Sequence, residues 1–426
     1  MSQITLIPLS KVVTKTIEIP GSKSYTNRSL ILASLTKGSV RIINPLFSDD
    51  TKALIHCLKT LGIKIEILEK EIRVIGDISE IRDREYNLNV NLSGTTIRFL
   101  LALCCIVSGI KILRGEGRLN ERPIAELVGS LKDLGAKIEY LEKDGYPPLK
   151  ITSSKLNPGT TRLHGDISSQ FFSSLFMIAP IIGGMEIEVI GNHISTPYID
   201  MTIDLMEYFG VKMRNLGYKK YLIKNGKYQT QEYSVEGDFS SAGYFLAVAA
   251  LTYSTITLKN LNPNSKQADI RFLEILESMG NEIIKADNEI TITGKRVKAM
   301  NVNMESFPDQ VQTLAVLAAF ANGKTIISGV RSLRVKETER VLALQTELAK
   351  MEIKTESTTD SLTIYGGDPK PAEIDTYNDH RMAMSFAIAG SKISGMKINN
   401  PEVVSKTFPE FWEKLESIGI GVEKDG

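Results

Sequence analysis

At 426 residues the chain is too long for one ordinary hydrophobic core, and the length favours two or three domains. With 42% apolar and 24% charged residues the composition is that of a globular protein. Its 51 Lys and Arg against 50 Asp and Glu leave a net charge of +1, so no bulk field draws it to nucleic acid or to an anionic membrane. Any anion binding must be local.

Three cysteines, Cys57, Cys104 and Cys105, sit in apolar stretches without the spacing of a zinc site or a disulfide framework, and read as buried, inert thiols. The start, Met1-Ser2-Gln3-Ile4, has no charged-then-apolar signal pattern, so a cytoplasmic protein is expected. Two long uncharged runs, Ile167 to Met185 and Phe239 to Leu258, break after about 14 residues, short of the roughly 20 that a membrane span needs. They are expected as buried helix, turn, then strand.

In chain order the sequence repeats one unit six times. Ser22-Lys23-Ser24 opens an apolar helix, and an amphipathic helix then ends at Leu58 to Gly62 and runs into Ile63-Lys64-Ile65. The second copy opens its apolar helix at Ser93-Gly94-Thr95-Thr96. Its amphipathic helix places Ile124, Leu127, Val128, Leu131 and Leu134 on one face and ends at Gly135. The third opens at Ser168-Ser169-Gln170 and ends at Gly210; the fourth opens at Ser240-Ser241 and ends at Gly280. The fifth opens at Pro308-Asp309-Gln310 and carries Glu352 where the glycine belongs; the sixth opens at Asn378-Asp379-His380-Arg381 and ends at Gly419. The end points 62, 135, 210, 280, 352 and 419 are 73, 75, 70, 72 and 67 residues apart. Glycine there suits the left-handed cap of a helix C-terminus, and the small polar openers are N-cap types. A lone unit cannot bury its apolar helix, so three units per domain are expected: two similar α/β domains with helices surrounded by sheets.

Basic residues collect at the helix starts. Lys23 and Arg28 flank the first; Arg118 and Arg122 precede an amphipathic helix; Lys336, Glu337 and Arg340 take the matching place in the fifth unit and Lys406 in the sixth; His380-Arg381 open the last apolar helix. Cations there oppose the helix dipole, and bound phosphate or carboxylate groups are expected to offset that. Arg supplies bidentate clamps and Lys a point charge. Asp309 and Glu337, placed among these bases, are either ion-pair partners or general acid/base candidates.

Other signals fail. Gly323-Lys324-Thr325 lacks the first glycine of a phosphate loop, since position 318 is Ala, and reads as a turn into a strand. No Gly-x-Gly-x-x-Gly follows a strand, and His56, His164, His193 and His380 show no ligand spacing, so neither cofactor nor metal is expected.

From Ile19-Pro20-Gly21-Ser22-Lys23-Ser24 through Arg334-Val335-Lys336-Glu337-Thr338 and Tyr377-Asn378-Asp379-His380-Arg381 to Lys406-Thr407-Phe408-Pro409, the chain closely resembles the 5-enolpyruvylshikimate-3-phosphate synthases, of the enolpyruvyl transferase family. The resemblance implies two inside-out α/β barrel-like domains of three units each, spanning 21–236 and 1–20 with 237–426, and an active site in the cleft between them. It implies a monomer without cofactor, acting on phosphoenolpyruvate and shikimate 3-phosphate in aromatic amino acid biosynthesis.

Carried over by position, shikimate 3-phosphate is held by Lys23, Ser24, Arg28, Ser168, Ser169, Gln170, Ser195, Tyr198, Asp309, Ser332 and Lys336. Phosphoenolpyruvate is held by Lys23, Gly94, Arg118, Gln170, Arg340, His380, Arg381 and Lys406, and Asp309 acts as base, Glu337 as acid and Lys23 as electrostatic catalyst. Two places depart from the family. Leu92-Ser93-Gly94-Thr95 replaces the usual Asn-Ala-Gly-Thr, which bears on sensitivity to glyphosate, and Ser332 replaces a substrate-binding Asn. The sister transferase acting on UDP-N-acetylglucosamine is disfavoured by Lys23-Ser24 and by the lack of a Cys in a mobile loop. A non-catalytic anion-binding homologue is disfavoured by the presence of both Asp309 and Glu337.

Overall fold

A computed structural model describes residues 2–425. The apolar helices form as expected, at Lys23–Leu35, Gly94–Ile106, Ser169–Ile178, Phe239–Thr252, Val311–Ala319 and His380–Gly390. They are buried nearly all round; in His380–Gly390 every residue is buried. Ser22, Ser93 and Ser168 cap the first three through their side-chain oxygens. The fourth start differs from expectation. Asp238 caps it, accepting from the Ser241 N–H at 2.9 Å, so Ser240 and Ser241 lie inside the first turn. In the fifth, Pro308–Gln310 forms a 3-10 turn before the α-helix begins at Val311.

Each unit contributes the same sheet. Six four-stranded sheets occur among the described residues, each ordered as one parallel pair followed by two antiparallel pairs. Thr255–Lys259, for instance, runs parallel to Thr14–Glu18 and antiparallel to Glu289–Thr293, which pairs with Glu282–Ala286. Inward positions on these strands, such as Ile256, Leu258, Ile290 and Ile292, are fully buried, while Thr257 and Thr291 face out and bond hydroxyl to hydroxyl at 2.8 Å.

The six units divide into two compact bodies, one the chain up to Pro20 with everything from Glu236, the other Gly21–Val235. The strands Gln3–Ile7 and Thr14–Glu18 complete two sheets of the first body, and Glu232–Ser234 completes a sheet of the second.

All six repeat end points have positive φ: 107° at Gly62, 100° at Gly135, 87° at Gly210, 100° at Gly280, 61° at Glu352 and 106° at Gly419. Backbone geometry therefore dictates glycine in five copies, and Glu352 adopts the same left-handed turn against the preference of a residue with a Cβ. Both uncharged runs resolve into a buried helix and a following strand, and among the described residues no helix is long and apolar enough to cross a membrane. Gly323 starts the strand Gly323–Ser328. The three thiols are buried, and burial pushes the Cys57 and Cys104 pKa values up to about 12.

Candidate active site

Each body carries one cluster, built where its three buried helices start. In Gly21–Val235, Lys23 opens the first helix, with its Nζ 3.3 Å from Asp50. Arg28, one turn further on, is 1% exposed. Its Nε donates to Thr202 Oγ1 at 2.7 Å, Nη1 to the Ser24 carbonyl at 3.0 Å, and Nη2 to Ser173 Oγ and the Tyr198 carbonyl, both at 3.3 Å. Its guanidinium carbon also lies 5.3 Å from the Phe99 ring centre. Four of its five N–H groups are thus directed at this body, and Arg28 ties the first helix to the third and to Thr196–Tyr208. Burial lowers its pKa to about 10, still far above neutrality.

Ser195 precedes Thr196–Tyr208 with φ 54° and ψ 41° and makes no capping bond, so a non-glycine residue holds a left-handed turn with its hydroxyl uncommitted to the helix. Ser168 caps the third helix, and Ser169 is its first residue. Gln170 bridges helix starts: its Oε1 accepts from Arg98 and its Nε2 donates to Thr95 Oγ1 at 3.0 Å. Gly94 opens the second helix under Arg122, and a Cβ there would lie 2.6 Å from Arg122 Nη1. Ser93 caps that helix, its Oγ 2.7 Å from Thr96 Oγ1, so it does not disturb the helix start. Arg118 is exposed on the 3-10 turn Gly117–Glu121.

In the other body the cluster is denser in charge. Arg340, 1% exposed, gives Nε to Asp379 at 2.7 Å and Nη2 to Asp379 at 3.2 Å and to Glu337 at 2.9 Å; its Nη1 is 3.5 Å from Asp309. Burial alone would lower its pKa, but Asp379 and Glu337 outweigh that and raise it. Asp379 also caps the last buried helix, accepting from the Arg381 N–H at 2.9 Å. Arg381 Nη2 donates to Asp309 Oδ2 at 2.8 Å, and Nη1 to the Asp309 carbonyl at 3.0 Å and to Tyr244 Oη at 3.3 Å. His380 is buried, its Nδ1 3.6 Å from Asp379. Ser332 and Lys336 lie in and just after the 3-10 turn Arg331–Val335, and Lys406 ends the turn Pro401–Lys406, which packs on the last buried helix.

Asp309, Glu337, Arg340 and Arg381 are therefore joined in one network. Arg118, Ser332, Lys336 and Lys406 sit on turns of their own in the same bodies. The network corrects one inference from sequence. The cations at helix starts are offset at least in part by the protein's own carboxylates, Asp50, Asp309, Glu337 and Asp379, rather than by bound anions alone.

Sequence reasoning missed several participants. Asp50 and Asp379 are the partners of Lys23 and Arg340, at separations of 27 and 39 residues that no local motif reveals. Arg98 was legible as the one charge in an otherwise uncharged helix. Asp269, 4% exposed, accepts from Ser240 Oγ at 2.9 Å. Burial first and the nearby Asp309 second raise its pKa to about 7. No group of three or more His, Cys, Asp or Glu among the described residues is arranged to hold a metal ion.

Comparison with known proteins bears on what these clusters do. Residues 8–415 match the family model for EPSP synthase (3-phosphoshikimate 1-carboxyvinyltransferase). A 3-phosphoshikimate 1-carboxyvinyltransferase of Sulfurovum sp. (strain NBC37-1) is 42% identical over 425 residues, covering 98% of this chain and 99% of the relative. One of Colwellia psychrerythraea is 41% identical over 426 residues, covering 98% and 100%. The solved EPSP synthase of Acinetobacter baumannii superposes over the full length of both chains with a TM-score of 0.85 at 25% identity.

Proposed function

We infer the chemistry from kinship and clusters together, because this chain belongs to the EPSP synthase family. It is a transferase of the shikimate pathway, a 3-phosphoshikimate 1-carboxyvinyltransferase, that moves the enolpyruvyl group of phosphoenolpyruvate to the 5-hydroxyl of shikimate 3-phosphate and releases phosphate.

The roles of individual residues are our proposal. The hydroxyl oxygen at carbon 5 attacks carbon 2 of phosphoenolpyruvate, its proton passing to Asp309, while Glu337 gives a proton to carbon 3, which becomes a methyl group. The resulting ketal then loses a methyl proton to the Glu337 carboxylate and phosphate from carbon 2, the departing phosphate oxygen taking the proton held by Asp309, which restores the double bond as an enol ether and both carboxyl groups to their starting states. Lys23, Ser24, Arg28, Ser168, Ser169, Gln170, Ser195 and Tyr198 bind shikimate 3-phosphate together with Asp309, Ser332 and Lys336. Lys23, Gly94, Arg118, Gln170, Arg340, His380, Arg381 and Lys406 bind phosphoenolpyruvate, and the cations among them stabilise the charge that develops on it.

The observation that carries the assignment is the shared network in which both carboxylates, Asp309 and Glu337, touch Arg340. An acid and a base held on one cation that also binds the donor are within reach of the same substrate carbons. Arg28 is read as a binder whose remaining N–H and fixed charge act on the shikimate anion while its other bonds keep it rigid. We read the protein as a cytoplasmic monomer without nucleic-acid or membrane partner, in keeping with its net charge of +1.

Phosphate release by purified protein, with EDTA present and each substrate omitted in turn, tests the reading. Release must require both substrates. Release only when UDP-N-acetylglucosamine replaces shikimate 3-phosphate would assign the chain to the sister activity. No release with either acceptor, from folded protein, would leave a binding protein.

A further inference from the structure

The body carrying Asp309 has a second concave feature, at the opposite ends of its three buried helices. A cavity of about 400 Å³ opens where these helices finish, lined by Tyr253 after Phe239–Thr252, Phe320 and Asn322 after Val311–Ala319, and Lys392 after His380–Gly390. The segment following the strand Glu289–Thr293 supplies Arg296 and Lys298. Nothing in the proposed transfer reaction uses any of these residues.

Three cations and no carboxylate line this cavity. Lys392 is accounted for locally. Its Nζ donates to the Leu251 carbonyl at 3.3 Å, at the negative end of a helix dipole, and lies 5.0 and 5.8 Å from the Tyr253 and Phe320 ring centres. Arg296 and Lys298 are different, because neither side chain has an ion pair among the described residues. The neighbouring carboxylate, Glu282, is taken by Lys295. Arg296 is exposed and runs over Gly280, where a Cβ would lie 3.0 Å from its Nε.

The apolar walls are also specific. Tyr253 takes φ 60° directly after its helix, a conformation unfavourable for a bulky side chain, and keeps its ring half in solvent at the cavity mouth. Phe320 supplies a second ring, and Asn322 an amide.

We propose that this cavity is a binding site for a small organic anion with a flat apolar body, a ring bearing a carboxylate or a phosphate ester. The ring lies against Tyr253 and Phe320, and the anionic group takes the unpaired charges of Arg296 and Lys298. The volume is in the range of natural small-ligand sites. The proposal does not depend on the transferase reading.

Calorimetric titration of the full chain with benzoate and with phenyl phosphate tests it, in the presence of saturating shikimate 3-phosphate and phosphoenolpyruvate analogue to occupy the other anion sites. Saturable 1:1 binding with a Kd on the order of 1 mM or tighter is expected for at least one probe, the stronger one identifying carboxylate or phosphate as the preferred group. Lys298→Glu and, as a milder variant, Lys298→Gln should each weaken it about tenfold or more, and Tyr253→Gly should weaken it while leaving the protein folded. No saturable heat from either probe up to about 20 mM would overturn the proposal. So would binding indifferent to Lys298→Gln, or inorganic phosphate binding as tightly as phenyl phosphate.

Discussion

Arg381 reaches Asp309 twice, through Nη2 to the carboxylate at 2.8 Å and through Nη1 to the backbone carbonyl at 3.0 Å. The first bond fixes the carboxylate and the second the turn that carries it, so the proposed base is held on a cation that the donor's own negative charge is expected to engage.

Asp309→Asn keeps the shape and a hydrogen-bond acceptor but removes the base. Turnover should fall by about 100- to 10,000-fold with the circular dichroism spectrum unchanged. Glu337→Gln should fall comparably. Near-wild-type turnover in Asp309→Asn would assign the base elsewhere.

Asp379 is a structural counterpart to that pair. It caps the last buried helix and takes two N–H groups of Arg340, itself 1% exposed. Asp379→Asn leaves a cap but strands a buried guanidinium short of one negative charge. Urea unfolding should show a loss of about 3–5 kcal/mol, the usual consequence of breaking a buried ion pair.

The raised pKa of Asp269, about 7, has a thermodynamic sign. An unfolded carboxyl ionises near pH 4, so between there and pH 7 the folded state binds the extra proton. This group's contribution to stability therefore falls as pH rises through that window and levels off above it. Asp269→Asn removes that fall. The stability of the variant relative to wild type should rise by up to about 1.4 kcal/mol per pH unit from pH 5 to 7, then stay level to pH 8. A flat difference would mean that Asp269 ionises normally.

Glu352 is the one repeat end point without glycine, and it is exposed at φ 61°. Glu352→Gly should stabilise the protein by about 1 kcal/mol, and Gly419→Ala, at φ 106°, should destabilise it by at least as much, both read from thermal unfolding.

These residues also mark what was legible in the sequence. The repeat, its buried helices and its turns are local patterns, and a glycine or its lack at 62, 135, 210, 280, 352 and 419 reads directly as backbone conformation. The fourth helix start reads as Ser240-Ser241 because both are good cap types, two and three residues beyond an equally good one, Asp238, whose carboxylate reaches the Ser241 N–H. The basic residues of the candidate site stood out as charges at helix starts. Their partners did not, because Asp50 meets Lys23 and Asp379 meets Arg340 only after different units of the repeat, or different helices of one unit, pack together. Asp269 was hidden for the same reason. Its chemistry comes from burial and from Asp309, 40 residues away in the chain.

The most direct test of the central claim is the reaction run in D₂O with phosphoenolpyruvate and shikimate 3-phosphate, following phosphate and the enol ether product together by NMR. Addition followed by elimination predicts one phosphate per enol ether and deuterium in the product's methylene group, because carbon 3 passes through a methyl state. Product formed without deuterium, or no phosphate released by folded protein, would contradict it.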